Sequence, residues 1–242
     1  MEMIVPNWPA AKQIKAFSST RVDGFSTGVY QGLNLGTHVG DENSKVEQNR
    51  LRLIEHAKMP STPIWLNQTH STLVEEVNDP TNQLLDADGV FTSCSNIVCS
   101  AMTADCLPVL LTNVQGTQVA AVHAGWRGLA SGIVETAVEK FDGEVMAWIG
   151  PAIGARAFEV GKDVVDAFVS VDANAMKAFI PREQDGKWLA NMNQLVTQRL
   201  HRVGVDQVYY SDLCTYSDAE LFYSYRRDGV TGRQATFIWI EN

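Results

Sequence analysis

Residues 97–124 read IVCSAMTADCLPVLLTNVQGTQVAAVHA, and within them 97–102, 107–111 and 118–122 each have the length and apolar character of a short strand. No helical stretch separates the three. Strands in consecutive groups argue for an α+β fold with mixed sheets rather than a regular βαβ array. Runs of the same kind at 64–66 and 72–77 upstream, and at 145–149, 205–210 and 235–240 downstream, make strands outnumber helices.

Working outward, the segment 24–41, GFSTGVYQGLNLGTHVGD, is dense in Gly and small polar residues and is expected to form an ordered loop. Ser44 and Glu47 form a capping-box pattern that opens a helix towards Lys58, closed by Pro60. Beyond GWRG, Ala130, Ile133, Val134, Ala137, Val138 and Phe141 fall at helical period up to Asp142-Gly143. A second periodic set, Leu189, Met192, Leu195, Val196, Leu200 and Val203, ends at Gly204. There is no internal repeat, linker-like run, GxGxxG or GxxxxGK[ST], so one domain spanning 1–242 is expected and a Rossmann fold is not.

The 242 residues include 19 Lys plus Arg and 28 Asp plus Glu, a formal charge of -9. Such a surface repels phosphate backbones and anionic lipid, so neither nucleic acid nor membrane is an expected partner. The first residues lack the basic and apolar regions of a signal peptide, and no apolar run approaches the roughly 18 residues of a spanning helix. Cys94, Cys99, Cys106 and Cys214 match neither a zinc ribbon nor a CxxC pair and read as thiols of a reducing compartment. A cytoplasmic protein is expected.

Three stretches carry chemistry: NQTHS (67–71), MTADCLPVLL (102–111) and AAVHAGWRGLA (120–130). Each places one metal-capable side chain, His70, Cys106 or His123, where a strand begins or ends, and strand ends are rigid enough to converge on one point. Two imidazoles and a thiolate suit zinc and leave a fourth position open, where water is acidified towards a pKa of about 7. Asp105 could accept a proton or orient an imidazole. The same atoms also fit Cys106 as a nucleophile activated by His123 or His70, and residue chemistry alone leaves both readings open. His38, His56 and His201 are expected to be surface or structural residues, and Cys94, Cys99 and Cys214 inert thiols. Arg21, Arg226, Arg227 and Arg233 stand out in an acidic chain. The run 223–233, YSYRRDGVTGR, either binds a phosphate or ribose-bearing ligand or makes ordinary surface ion pairs.

The strings TRVDGFSTGVYQGLNLGTHVGD, WLNQTHS, ADGVFTS, MTADCLPVLL, VAAVHAGWRGLASG, WIGPAIGARAFEVG and FYSYRRDGVTGR resemble the YfiH family, also labelled laccase-domain or polyphenol oxidase proteins, over nearly the whole chain. TADCLP with HAGWRG is highly specific to it, and the wording is closest to proteobacterial members. The resemblance implies one α+β domain similar to the cytotoxic necrotizing factor deamidases. It also implies a zinc site of His70, Cys106 and His123, with copper as the older alternative. The implied activities are phosphorolysis of adenosine, inosine, guanosine and S-methyl-5'-thioadenosine, and hydrolytic deamination of adenosine. Nucleoside and phosphate are then the expected partners of a monomer or weak homo-oligomer, with Cys106, Asp105 and His123 as catalytic residues and Arg21 and Arg226 as substrate-binding ones. Alternatives are a Cys–His hydrolase or amidase acting on peptidoglycan precursors and a copper-dependent polyphenol oxidase. Only five histidines speak against several copper centres. Asp23 replaces the first glycine of the family's RxGG, and the HxE and PCxxC pattern of cytidine-deaminase-type sites is absent.

Overall fold

A computed structural model describes all residues, 1–242. The chain opens with β1 (Met3–Ile4), β2 (Ile14–Ser19) and α1 (Asn43–Ala57), followed by β3 (Val74–Glu76), β4 (Gly89–Thr92), β5 (Cys99–Thr103), β6 (Leu107–Asn113) and β7 (Val119–Ala124). Two short helices, α2 (Trp126–Ser131) and α3 (Ile133–Val138), lead to β8 (Val145–Ile149), β9 (Glu159–Gly161) and α4 (Lys162–Val169). The last stretch holds β10 (Phe179–Pro181), β11 (Lys187–Ala190), α5 (Met192–Arg202), β12 (Gln207–Tyr210), α6 (Tyr225–Asp228) and β13 (Gln234–Ile240).

The strands form a six-stranded mixed sheet ordered β12-β8-β6-β7-β4-β3, a four-stranded sheet ordered β1-β2-β13-β5 and a small sheet β10-β11-β9. Alternation along each strand assigns its two faces to different cores. On β6, Val109 and Leu111 pack with Leu129, Ile133, Val134, Val164, Leu195 and Val196 on the helices, whereas Leu110 joins Ala121, Trp148, Cys99, Ala101, Ile238 and Ile240 between the two large sheets. The other face of the four-stranded sheet, through Phe17, Val98, Met102, Phe237 and Trp239, packs on Leu53 of α1 and on Leu33 and Leu35. The order of layers is therefore helix, sheet, sheet, helices. This is the α+β fold with mixed sheets expected from the sequence.

Several local expectations are corrected. Residues 64–66 form only isolated bridges, Ile64 to Cys99 and Leu66 to Leu85. Helix α1 starts a residue before Ser44; its N-cap is Glu42, and Ser44 donates its hydroxyl to that carboxylate instead of closing a capping box. The periodic run after GWRG is broken into α2 and α3 by Gly132, whose φ of 102° is the left-handed conformation that glycine tolerates. Leu189 belongs to β11, not to the following helix, which Asn191 caps by accepting a hydrogen bond from the Gln194 N–H. Asp23, the departure in the RxGG stretch, adopts φ 67°, which a short Asp tolerates better than most residues, and pairs with the chain's amino terminus at 2.9 Å. No helix is long and apolar enough to cross a membrane.

Candidate metal centre

Antiparallel pairing brings the functional stretches to one end of the two-sheet sandwich. Leu107 at the start of β6 is opposite Ala124 at the end of β7, and Gly89 at the start of β4 is opposite Val122. In the neighbouring sheet Thr103 at the end of β5 faces Gln234 at the start of β13. Cys106 lies in the turn from β5 to β6, and His123 shares the face of β7 that carries Val119 and Ala121. His70 arrives on a loop anchored by Gln68, whose amide donates to the Met102 carbonyl at 2.7 Å and accepts from the Met102 N–H at 2.8 Å.

The ligand atoms of His70, Cys106 and His123 all lie within 4.8 Å of one another. Cys106 Sγ is 3.7 Å from His70 Nε2, and the two imidazole rings stand 4.8 Å apart at 71°. Nitrogen and sulfur ligands of a tetrahedral zinc lie roughly 3.4–3.6 Å apart, so the set fits the ion after small side-chain rotations. Gly125 makes the approach possible. A Cβ there would sit 2.3 Å from His70 Cδ2 and 3.2 Å from Cys106 Sγ.

Asp88, to which the sequence reading gave no role, organises this corner. It is fully buried at the start of β4. Its carboxylate accepts the N–H groups of Thr69, His70 and Ser71 at 3.1, 3.0 and 2.6 Å, and the Ser71 hydroxyl at 2.7 Å. It also sits 2.8 Å from His123 Nδ1, which directs Nε2 of that ring to the ligand position. Burial alone would raise the Asp88 pKa, but the hydrogen bonds from His123 and Ser71 outweigh it and hold the carboxyl well below the usual range.

Desolvation likewise pushes the Cys106 thiol up, yet His123 and His70 outweigh it and bring it down to about 6. His123 shows the mirror effect: desolvation lowers it, while Cys106 and Asp88 together raise it to about 9. Without an ion the pair is thus a thiolate facing an imidazolium at neutral pH. A metal takes the thiolate together with neutral imidazole nitrogens, a donor set that suits zinc, so the His123 proton has to leave when an ion enters.

The other expected site residues separate. Asp105 lies beside Cys106, but Thr215 Oγ1 donates to one of its oxygens at 2.7 Å and the Arg226 N–H to the other at 2.7 Å. It ties the loop at Thr215 to the first turn of α6, and the residue that orients an imidazole is Asp88. Arg21 is displaced from the centre. It lines another surface cleft, stacks over Tyr223 and donates to the Gln31 and Ala219 carbonyls. Arg226 does reach the centre, beside Phe158 and with Nη1 donating to the Glu159 carbonyl at 2.8 Å. His38, expected to be a surface or structural residue, lines the 450 Å³ cavity in front of the trio, as do Arg127 and Arg233. His56 and His201 are exposed on α1 and α5. Arg227 holds the Thr215, Tyr216 and Phe222 carbonyls. Burial pushes the Cys99 thiol up, in keeping with an inert role, whereas Cys214 accepts hydrogen bonds from the Gly154 N–H and the Ser217 hydroxyl that more than offset its desolvation and lower it.

Residues 15–241 match the family model described as multi-copper polyphenol oxidoreductase laccase. A protein of Haemophilus influenzae named purine nucleoside phosphorylase is 50% identical over 245 residues, covering 100% of both chains. Purine nucleoside phosphorylase YfiH of Escherichia coli is 49% identical over 242 residues, covering 99% of each. A crystal structure of a Neisseria meningitidis protein superposes with a TM-score of 0.95 at 42% identity, over 100% of both chains.

Proposed function

The chain belongs to the YfiH, or laccase-domain, family, and on that premise we propose that it is a zinc-dependent purine nucleoside enzyme. The reading is phosphorolysis of adenosine, inosine, guanosine and S-methyl-5'-thioadenosine, with hydrolytic deamination of adenosine as a second activity. The observation that carries it is full-length likeness, at 50% identity, to a protein named for this chemistry. The ligand trio at the mouth of a cavity supports it.

His70, Cys106 and His123 would hold the ion, with Asp88 fixing the tautomer of His123. When bound, zinc supplies a Lewis acid beside the substrate. In phosphorolysis a phosphate oxygen forms a bond to C1' of the ribose. The C1'–N9 bond breaks, and its electron pair leaves with the purine, which takes a proton. The chain's part is to hold phosphate and nucleoside in line and to exclude water, which would otherwise compete as nucleophile. Arg226, at the edge of the centre, balances anionic charge. Asp105, whose two oxygens accept from the Thr215 hydroxyl and the Arg226 N–H, holds Arg226 in position. A single group of candidate ligands, containing two of the five histidines, favours a one-metal centre over a multi-copper oxidase.

One observation favours a second reading. Cys106, His123 and Asp88 stand as nucleophile, base and orienting carboxylate, the arrangement of a thiol hydrolase or amidase such as one acting on peptidoglycan precursors. Product analysis separates the two. Adenosine with phosphate should give adenine and ribose 1-phosphate, and adenosine without phosphate should give only inosine. A chelator should abolish both. Amide hydrolysis that survives chelation, with neither nucleoside product formed, would replace the first reading by the second.

A further inference from the structure

The cavity in front of the trio reverses the charge of the molecule around it. The chain carries 28 acidic against 19 basic residues, yet no Asp or Glu lines the cavity, and Arg127, Arg226 and Arg233 do. Arg182, Arg199 and Arg227 each pair with a carboxylate, but none of the three cavity arginines does. Arg233 donates Nη1 to the Thr231 and Gly232 carbonyls at 3.0 and 2.9 Å, which fixes the fork and leaves its other N–H groups without a protein partner. His38 shares this wall, and so does Thr103, whose buried hydroxyl has no partner. Desolvation and the nearby Arg233 and Arg50 lower the His38 pKa, so His38 adds a neutral donor there.

A second chamber of 130 Å³ opens from the same corner and is mainly apolar, with Asp105 and Arg226 as its charged lining residues. Eight of its ten lining residues are hydrophobic, among them Leu107, Ile153 and Met192. Trp126, Phe158 and Tyr225 belong to both chambers and supply flat rings at the junction. Cys106 and Arg226 also belong to both, so the two compartments meet at the Cys106 edge of the ligand trio.

We propose that this division sorts the two substrates, with inorganic phosphate on the His38–Arg233–Arg127 side and the purine ring against Phe158 and Trp126 on the apolar side. A fixed guanidinium fork with unpaired donors matches a tetrahedral oxyanion. A stacking platform over an apolar floor matches a heteroaromatic base. The ribose then spans the junction, which places the bond to be broken beside the ligand trio. This inference rests on the phosphorolytic reading, but its phosphate half can be tested apart from it.

Two measurements test it on zinc-loaded full-length protein. In steady-state kinetics Arg233→Gln should raise the KM for phosphate about tenfold to a hundredfold, the loss expected for a charged hydrogen-bonding fork, while the nucleoside KM stays near the wild-type value. Arg233→Lys should recover part of the loss, and Phe158→Ala should show the converse pattern. His38→Ala, on an exposed loop, is the smaller perturbation should Arg233→Gln fail to fold, and should also raise only the phosphate KM. Calorimetric titration with inorganic phosphate should show binding to wild type that Arg233→Gln weakens. If wild type binds no phosphate, or if both classes of variant raise the same KM, the partition is wrong. Phosphate binding that depends on Arg233 in a protein that cleaves no nucleoside would instead leave the anion site standing and remove the phosphorolytic reading.

Discussion

Asp88 accepts five hydrogen bonds, four from residues 69–71 and one from His123, and so ties the two imidazoles of the centre to one buried carboxylate. Asp88→Asn keeps the volume but removes the charge and forces an amide N–H towards donors. Zinc affinity is expected to fall about 10–100-fold, measured by competition with a chromophoric chelator. The coupling of Cys106 and His123 sets a pH dependence as well. Between about 6 and about 9 the thiol is already ionised while His123 still holds its proton, so binding a metal must expel that proton. Apparent zinc affinity should therefore rise with pH across this window, by about tenfold per unit, and level off above it. Calorimetry in buffers of different ionisation enthalpy should find about one proton released near pH 7.5. The three ligands were legible because His and Cys beside apolar runs are chemically conspicuous. Asp88 was not, because Asp before Gly reads as a turn and its partner lies 35 residues away. Asp105 drew attention by adjacency to Cys106, but adjacency in sequence says nothing about where a carboxylate's hydrogen bonds go.

Elements whose side chains alternate between two buried faces were readable as apolar runs, and 145–149 coincides with β8. The stretch 159–190 was not. There β9, β10 and β11 are three or four residues each, too short for a period to show. Leu189 stands three residues before Met192, so the end of β11 imitates a helical turn. Two glycines of the α2 region separate fold from site. At Gly125 the backbone, φ -62° and ψ 158°, suits any residue, but an added Cβ meets His70. Gly125→Ala should thus cost zinc and activity while thermal stability changes little. At Gly132 the added Cβ meets nothing closer than 3.5 Å, but φ is 102°. Gly132→Ala should lower unfolding free energy by about 1–2 kcal/mol, read from denaturant melts, with zinc content unchanged.

At the scale of the molecule, the two large sheets bury their shared face and leave one end of the sandwich where strand termini meet. The starts of β4, β6 and β13 and the ends of β5 and β7 all arrive there. The sequence announced consecutive strands but not which ends would coincide, since pairing such as Thr103 with Gln234 joins residues far apart in the chain. That convergence allows a thiolate and two imidazoles to share one ion. The direct test is to strip the protein with a chelator, add zinc back in steps and follow adenine release from adenosine in the presence of phosphate. Activity should be absent in the stripped protein, climb with added zinc and stop at about one equivalent per chain, and Cys106→Ala should respond to none of it. Full activity in the stripped protein, or a response to zinc that Cys106→Ala shares, would contradict a metal centre built from His70, Cys106 and His123.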